Sequence, residues 1–162
     1  MVSTLTLYEF IGTTLNPTTC TNLNFGSTVS GNLNSTLYPI TVGTYGKSKV
    51  LQLSFGGSFT SITNIKLYQS DGTNITGETI NYGTSTVFHV STGGSYADSI
   101  ATTAIPTANP ATANITVSGT ITYTLTQTTN TTDYVFLQSS LSVLASATTI
   151  PEKTLSFTWT EI

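Results

Sequence analysis

Between Lys49 and Gly72 the chain reads KVLQLSFGGSFTSITNIKLYQSDG, and this stretch constrains the fold more than any other. Leu51, Leu53 and Phe55 fall on one face at the strand period of two. Gly56 and Gly57 are expected to break the run. Ile65 and Leu67 resume the alternation with Asn64, Lys66 and Tyr68 opposite, and Ser70, Asp71 and Gly72 close it as a turn. Two strands with apolar teeth on one face and polar groups on the other are half of a sandwich, so a second sheet has to cover them.

The same alternation recurs along the chain. Residues 3–10 set Leu5 and Leu7 against Thr4, Thr6 and Tyr8, which predicts a strand. Residues 12–34 are rich in Thr, Asn and Gly with only isolated apolar positions, so they are expected to form a long loop or arm, with one edge strand near 28–33. A short edge strand is expected at 37–42, where Pro39 interrupts, and a turn at 43–48. Residues 74–80 and 84–90 read as two strands separated by Asn81, Tyr82 and Gly83. Residues 91–114 hold Gly93-Gly94, Pro106 and Pro110 and are expected to lie as a loop across a surface, with at most one or two helical turns at 96–103. Ile115, Val117, Ile121, Tyr123 and Leu125 share one parity and predict a strand over 115–126, with Gly119 at a bulge.

The strongest strand signals come last. Residues 134–144 (YVFLQSSLSVL) are largely apolar. Residues 154–161 alternate throughout, with Leu155, Phe157 and Trp159 on one side and Ser156, Thr158 and Thr160 on the other. These two are expected to pair antiparallel and to supply the core aromatics. Roughly eight to ten short strands with regular turn signals predict an all-β protein, an antiparallel β-sandwich of immunoglobulin-like or jelly-roll-like type. The expected division is an N-terminal strand and extended arm over 1–34 and a sandwich domain over 35–162.

Composition agrees with this class and narrows the partners. Thr is the commonest residue, and its β-branch suits a pleated surface. Charged residues make up 7% of the chain, with four Lys, no Arg and a net charge of -3. Four scattered lysines neutralise few phosphates, so nucleic acid is not an expected partner. No apolar run approaches the ~20 residues of a membrane span, and no membrane partner is expected. Met1, Val2, Ser3 and Thr4 lack the basic start and apolar stretch of a secretory signal, so synthesis in the cytoplasm is expected. Cys20 is the only cysteine, which excludes an internal disulfide and reads as a small half-buried apolar residue.

Candidate chemistry is sparse. The one histidine, His89, has Ser91 and Asp98 nearby in sequence, but no GxSxG pattern surrounds any serine. Asp71, Glu78, Asp98 and Asp133 are well separated, and Asp71-Gly72-Thr73-Asn74 reads as a β-turn before it reads as a calcium loop. Gly56-Gly57 and Gly93-Gly94 lack the lysine and helix of a phosphate loop. Asn-X-Ser/Thr triplets begin at Asn34, Asn74, Asn114 and Asn130 and arise easily in so Thr-rich a chain. Tyr45, Tyr68, Tyr82 and Tyr96 lie in or beside expected loops and are candidates for stacking on sugar rings, with edge packing the plainer role. No catalytic residue, metal ligand or cofactor is expected.

The run FGGSFTSITNIKLYQSDGTNITGETINYG resembles a group of small virion structural proteins of tailed bacteriophages. In that group a strand and a Gly-Ser-Phe turn lead to an Ile-x-Asn-Ile/Leu strand and a Ser-Asp-Gly turn. The matching positions are Phe55, Gly57, Phe59, Ile62, Asn64, Ile65, Lys66, Ser70, Asp71 and Gly72. Residues 133–138 (DYVFLQ) are similar to the group's aspartate-tyrosine strand, and 155–161 to its closing strand, which ends in an acid. The likeness spans about 49–94 and 133–162. It implies a non-enzymatic virion protein, above all a capsid decoration (cement) protein that binds the major capsid protein in many copies as a homo-oligomer. Residues 12–34 would then lie over neighbouring subunits as a clamp. A tail, neck or fibre component, or a carbohydrate-binding or adhesin module, is the alternative, and a hydrolase built on His89 stands third.

Overall fold

The computed structural model describes residues 2–11, 15–29, 33, 36–122, 130–146 and 150–162. Among these residues ten strands run in chain order: β1 Val2–Phe10, β2 Pro17–Thr19, β3 Thr44–Tyr45, β4 Lys49–Ser58, β5 Ile62–Asp71, β6 Glu78–Ser85, β7 Thr103–Ala104, β8 Asn130–Thr131, β9 Tyr134–Leu141 and β10 Thr154–Glu161. All pairings are antiparallel, and no helix occurs among the described residues. The protein is an all-β sandwich. Its larger sheet follows the order β2-β1-β4-β9-β6-β7, with β3 on β9 and β8 on β4, and its smaller sheet is β10-β5.

Side-chain parity builds the core. Leu51, Leu53 and Phe55 of β4 and Val135 and Leu137 of β9 point inward and meet Ile62, Ile65 and Leu67 of β5 across the sandwich. Leu155, Phe157 and Trp159 of β10 pack on the same cluster, with the Trp159 ring edge-on to Phe55 at 5.3 Å. The opposite parity, Phe10, Val50 and Phe136, forms a second cluster on the outer face of the larger sheet. That sheet is therefore covered on both sides at its centre.

Several expectations need correction. The strand β4 runs through Gly56 and Gly57, which pair with Thr4 and Ser3 of β1. Gly57 has φ +92, and a Cβ there would stand 2.5 Å from the Val2 carbonyl, so this glycine permits close pairing instead of ending it. Likewise Asn81, Tyr82 and Gly83 lie inside β6, paired with β9 across its whole length, and residues 86–90 are not a strand. Ile100 runs so close over Gly83 that any side chain would meet its carbonyl.

The two C-terminal strands do not pair with each other. β9 is buried on both faces, so it needs neighbours on both edges and lies between β4 and β6. β10, partly buried and strictly alternating, pairs with β5. No strand forms at 37–42 and no helix at 96–103, where only the two-residue β7 occurs. Ile115 and Ile121 are buried as expected, but their segment contributes one bridge, Ile121 to Ile62, and 123–126 lies outside the described residues. The edge strand expected near 28–33 is not seen at 28, 29 or 33, and 30–32 lie outside the described residues. The polar N-terminal segment pairs instead at β2, and Cys20, Leu23 and Phe25 pack against the core. With β1 interior to the larger sheet, residues 2–10 and 17–25 pack as part of the sandwich.

Candidate functional site

Four features stand out once the strands are placed: two buried ion pairs, a loop strapped over the outer face, a latch between the sheets, and the tyrosines. The ion pairs follow from strand parity. Glu9 shares the inward face of Leu5 and Leu7, and Lys49 that of Leu51 and Leu53, so the two meet at one end of the core. Lys49 Nζ lies 2.9 Å from Glu9 Oε1, with 1% and 4% of the side chains exposed. Lys153 and Glu78 form a second pair at 3.0 Å, also buried, and Glu78 Oε2 accepts the Ile75 amide. These pairs satisfy charges that the fold has enclosed. Nothing in the sequence reading found them, although the parity of Glu9 and Lys49 carried the signal.

The loop after β6 crosses the outer face of the larger sheet. Gln138 of β9, 1% exposed, accepts the Asp98 amide at 2.7 Å and donates to the carbonyls of Gly46, Thr92 and Tyr96. Asp98 Oδ1 in turn accepts the amides of Ile100 and Ala101 at 2.8 and 3.2 Å. The long loop thus lies across a surface, and the surface is its own sheet.

This placement dismantles the Ser/His/Asp arrangement. The Ser91 hydroxyl donates to the Ser48 carbonyl at 2.5 Å, Asp98 is committed to backbone amides, and exposed His89 stands edge-on to Phe136 at 5.9 Å. No group of three or more metal-ligating side chains occurs among the described residues. Asp71 Oδ1 accepts the Gly72 amide at 2.7 Å, and Gly72 has φ +84, the geometry of a tight turn. Gly93 packs against the backbone of Gly46 and Lys47.

The four candidate tyrosines do not form one platform. Tyr82 is buried in the core, Tyr45 lies in β3, Tyr68 is on the outer face of β5, and Tyr96 is 74% exposed on the loop over the other sheet. Of the Asn-X-Ser/Thr positions, the Asn114 amide bonds both the N–H and the C=O of Leu67, Asn130 is buried and Asn74 is exposed. Asn34 lies outside the described residues. A shallow hollow of about 490 Å³ is lined by Gln52, Thr86, Asn130, Asp133 and Tyr134. Asp133 there accepts the Ser118 amide and hydroxyl at 3.1 and 2.6 Å, so its carboxylate is already engaged.

The latch joins β10 to β1. Glu161 Oε2 accepts both the hydroxyl and the amide of Ser3, at 2.5 and 2.8 Å, and Trp159 Nε1 donates to Ser3 Oγ at 3.1 Å. The Ser3 hydroxyl first, and its amide second, hold the Glu161 carboxyl below its ordinary pKa. Cys20 is half-buried, as its sequence reading has it, and burial raises its thiol pKa, with nearby Glu9 adding to the effect. Comparison with protein families, with curated proteins and with solved structures finds no match to this chain.

Proposed function

We propose that this chain is a non-enzymatic structural protein of a tailed-bacteriophage particle, a capsid decoration protein that binds the outer surface of the shell in many copies. The observation that carries the reading is the poverty of charge on the outside. Of eleven charged residues, Glu9, Lys49, Glu78, Lys153 and Asp98 are buried. Lys47, Lys66, Asp71, Asp133, Glu152 and Glu161 remain to face solvent on a surface otherwise dominated by Thr, Ser and Asn. Such a surface has few ions to desolvate when it is covered, and interface centres are depleted of charge. The likeness of the 55–83 run to small virion proteins points the same way. A tail, neck or fibre position is the second reading, because it asks for the same uncharged surface.

Gradient sedimentation of a producing lysate tests this, with copy number measured by quantitative mass spectrometry. Co-sedimentation with large particles at copies comparable to the shell protein is expected. A few copies per particle would move the chain to the neck or tail. A chain that stays free at the top of the gradient would refute the particle reading.

A further inference from the structure

The fold treats its strand edges unequally. On the larger sheet, the β2 edge is three residues long and begins at Pro17, and the β7 edge is two residues long. On the smaller sheet, the outer side of β5 is closed by other parts of the chain. The Ile62 amide donates to Ile121 at 2.9 Å, the Gln69 amide donates to Pro106 at 2.8 Å, and the Ile65 carbonyl accepts the amides of Asn114 and Ile115. Between them the Asn114 side chain brackets Leu67, accepting its N–H at 2.7 Å and donating to its C=O at 2.8 Å, as a neighbouring strand would.

Among the described residues, nothing bonds the outer edge of β10 in this way. Among those residues, its main chain over its eight positions is bonded on one side only, to β5. It carries no proline and no lysine, and its one charge, Glu161, is held by Ser3. Both irregularities in the β5–β10 register place the extra residue on β5, so β10 itself is not the bulged strand. Short length, proline, lysine, bulges and covering loops are how proteins keep edges from pairing, and a long edge without them is a template for another strand.

We propose that the outer edge of β10 is a docking edge that takes an extended segment of another polypeptide as a third strand of the smaller sheet. Three observations set the chemistry of that segment. Its main chain supplies the hydrogen bonds, as in β-strand addition. On the inward side, Leu5 and Leu7 of β1, the strand whose Ser3 is bonded to β10, are only partly buried, so apolar residues are called for at alternate positions. On the outward side it runs beside Thr154, Ser156, Thr158 and Thr160, which suits small hydroxyl residues and offers no countercharge.

The occupant is a single segment and not a whole second sandwich paired symmetrically through its own β10. The larger sheet overhangs the smaller one on this side, with β1 above β10 and β2 beyond it. Symmetric pairing would bring two such overhangs into the same space. The inference does not depend on the particle reading, since it concerns only what the edge can bind.

The test uses the full chain and a capped eight-residue peptide copying residues 154–161 with Trp159→Phe, in which apolar and hydroxyl residues alternate. Amide hydrogen exchange of β10 is followed by mass spectrometry. At a peptide concentration ten times its Kd, exchange of the β10 amides should slow roughly tenfold. Two further peptides, N-methylated at alternate residues in opposite parity, separate main-chain docking from nonspecific sticking. One parity should bind and the other should not, because only one set of amides faces β10. No slowing up to about 1 mM peptide, or equal binding by both methylated peptides, would overturn the proposal.

Discussion

Removing one partner of the Glu9–Lys49 pair should be among the most damaging single changes available in this protein. Both side chains are almost fully enclosed at 2.9 Å, where solvent screens little. Glu9→Leu takes the carboxylate away from the enclosed Lys49 ammonium, and breaking a buried pair by removing one partner costs roughly 3–5 kcal/mol. For a chain of this size each kcal/mol moves Tm by about 2–4 °C, so a drop on the order of 6–20 °C is expected. The double variant Glu9→Leu/Lys49→Met removes both charges and fills the space with apolar atoms. It should recover most of the loss, because well-packed apolar replacements of buried pairs are often neutral or better. Urea unfolding of the wild type, both single variants and the double variant closes a cycle whose interaction energy is then read directly. If Glu9→Leu costs less than about 1 kcal/mol, or if the double variant is no better than the worse single one, the pair is not enclosed and the packing of β1 on β4 is misplaced.

Trp159→Ala should cost about 3 kcal/mol, the low end for a core tryptophan because this one is only partly buried, and unchanged urea unfolding would remove Trp159 from the core. Gly83→Ala should destabilise by at least about 1–3 kcal/mol, since the added Cβ would sit on the Ile100 carbonyl, and an unaltered melting curve would show that the loop does not press on β6. Glu161 has a lowered pKa in the fold, so its contribution is present above its ordinary value of 4.5 and is lost as pH falls through the lower folded value. Ser3→Ala removes the hydrogen bond that lowers it most, so the acid limb of the stability curve should flatten, and an identical limb in both proteins would contradict the latch.

Face was legible in the sequence, and neighbour was not. The alternations of Leu5/Leu7, Leu51/Leu53/Phe55 and Leu155/Phe157/Trp159 each point into the core as their parity requires. Parity says which side of a strand is buried but not which strand lies beside it, which is why β9 and β10 were expected together and lie in different sheets. The continuous YVFL run was the clue, because a strand apolar on both parities has to be central. Glycine misled for the opposite reason. Gly57 and Gly83 look like punctuation, yet each stands where another backbone comes too close for a side chain. Asn64, at φ 52, shifts parity within β5, so that Ile62 and Ile65 are both buried three residues apart. As for the candidate site, the scatter of Tyr45, Tyr68, Tyr82 and Tyr96 and the closing of the β5 edge by Asn114 depend on contacts far apart in sequence, which local pattern does not encode.

The partner of β10 decides the exposed surfaces, the open edge and the latch together, so it is the most direct thing to measure. In a Cys20→Ser background, Ser156→Cys with Tyr68→Cys places two thiols at directly paired positions on the solvent face of the smaller sheet. Ser156→Cys with Ser140→Cys probes the pairing with β9 instead. The structure predicts that the 156–68 pair oxidises readily with the fold intact and that the 156–140 pair does not. Efficient bridging of 156 to 140, with no bridge from 156 to 68, would contradict the two-sheet arrangement at its centre.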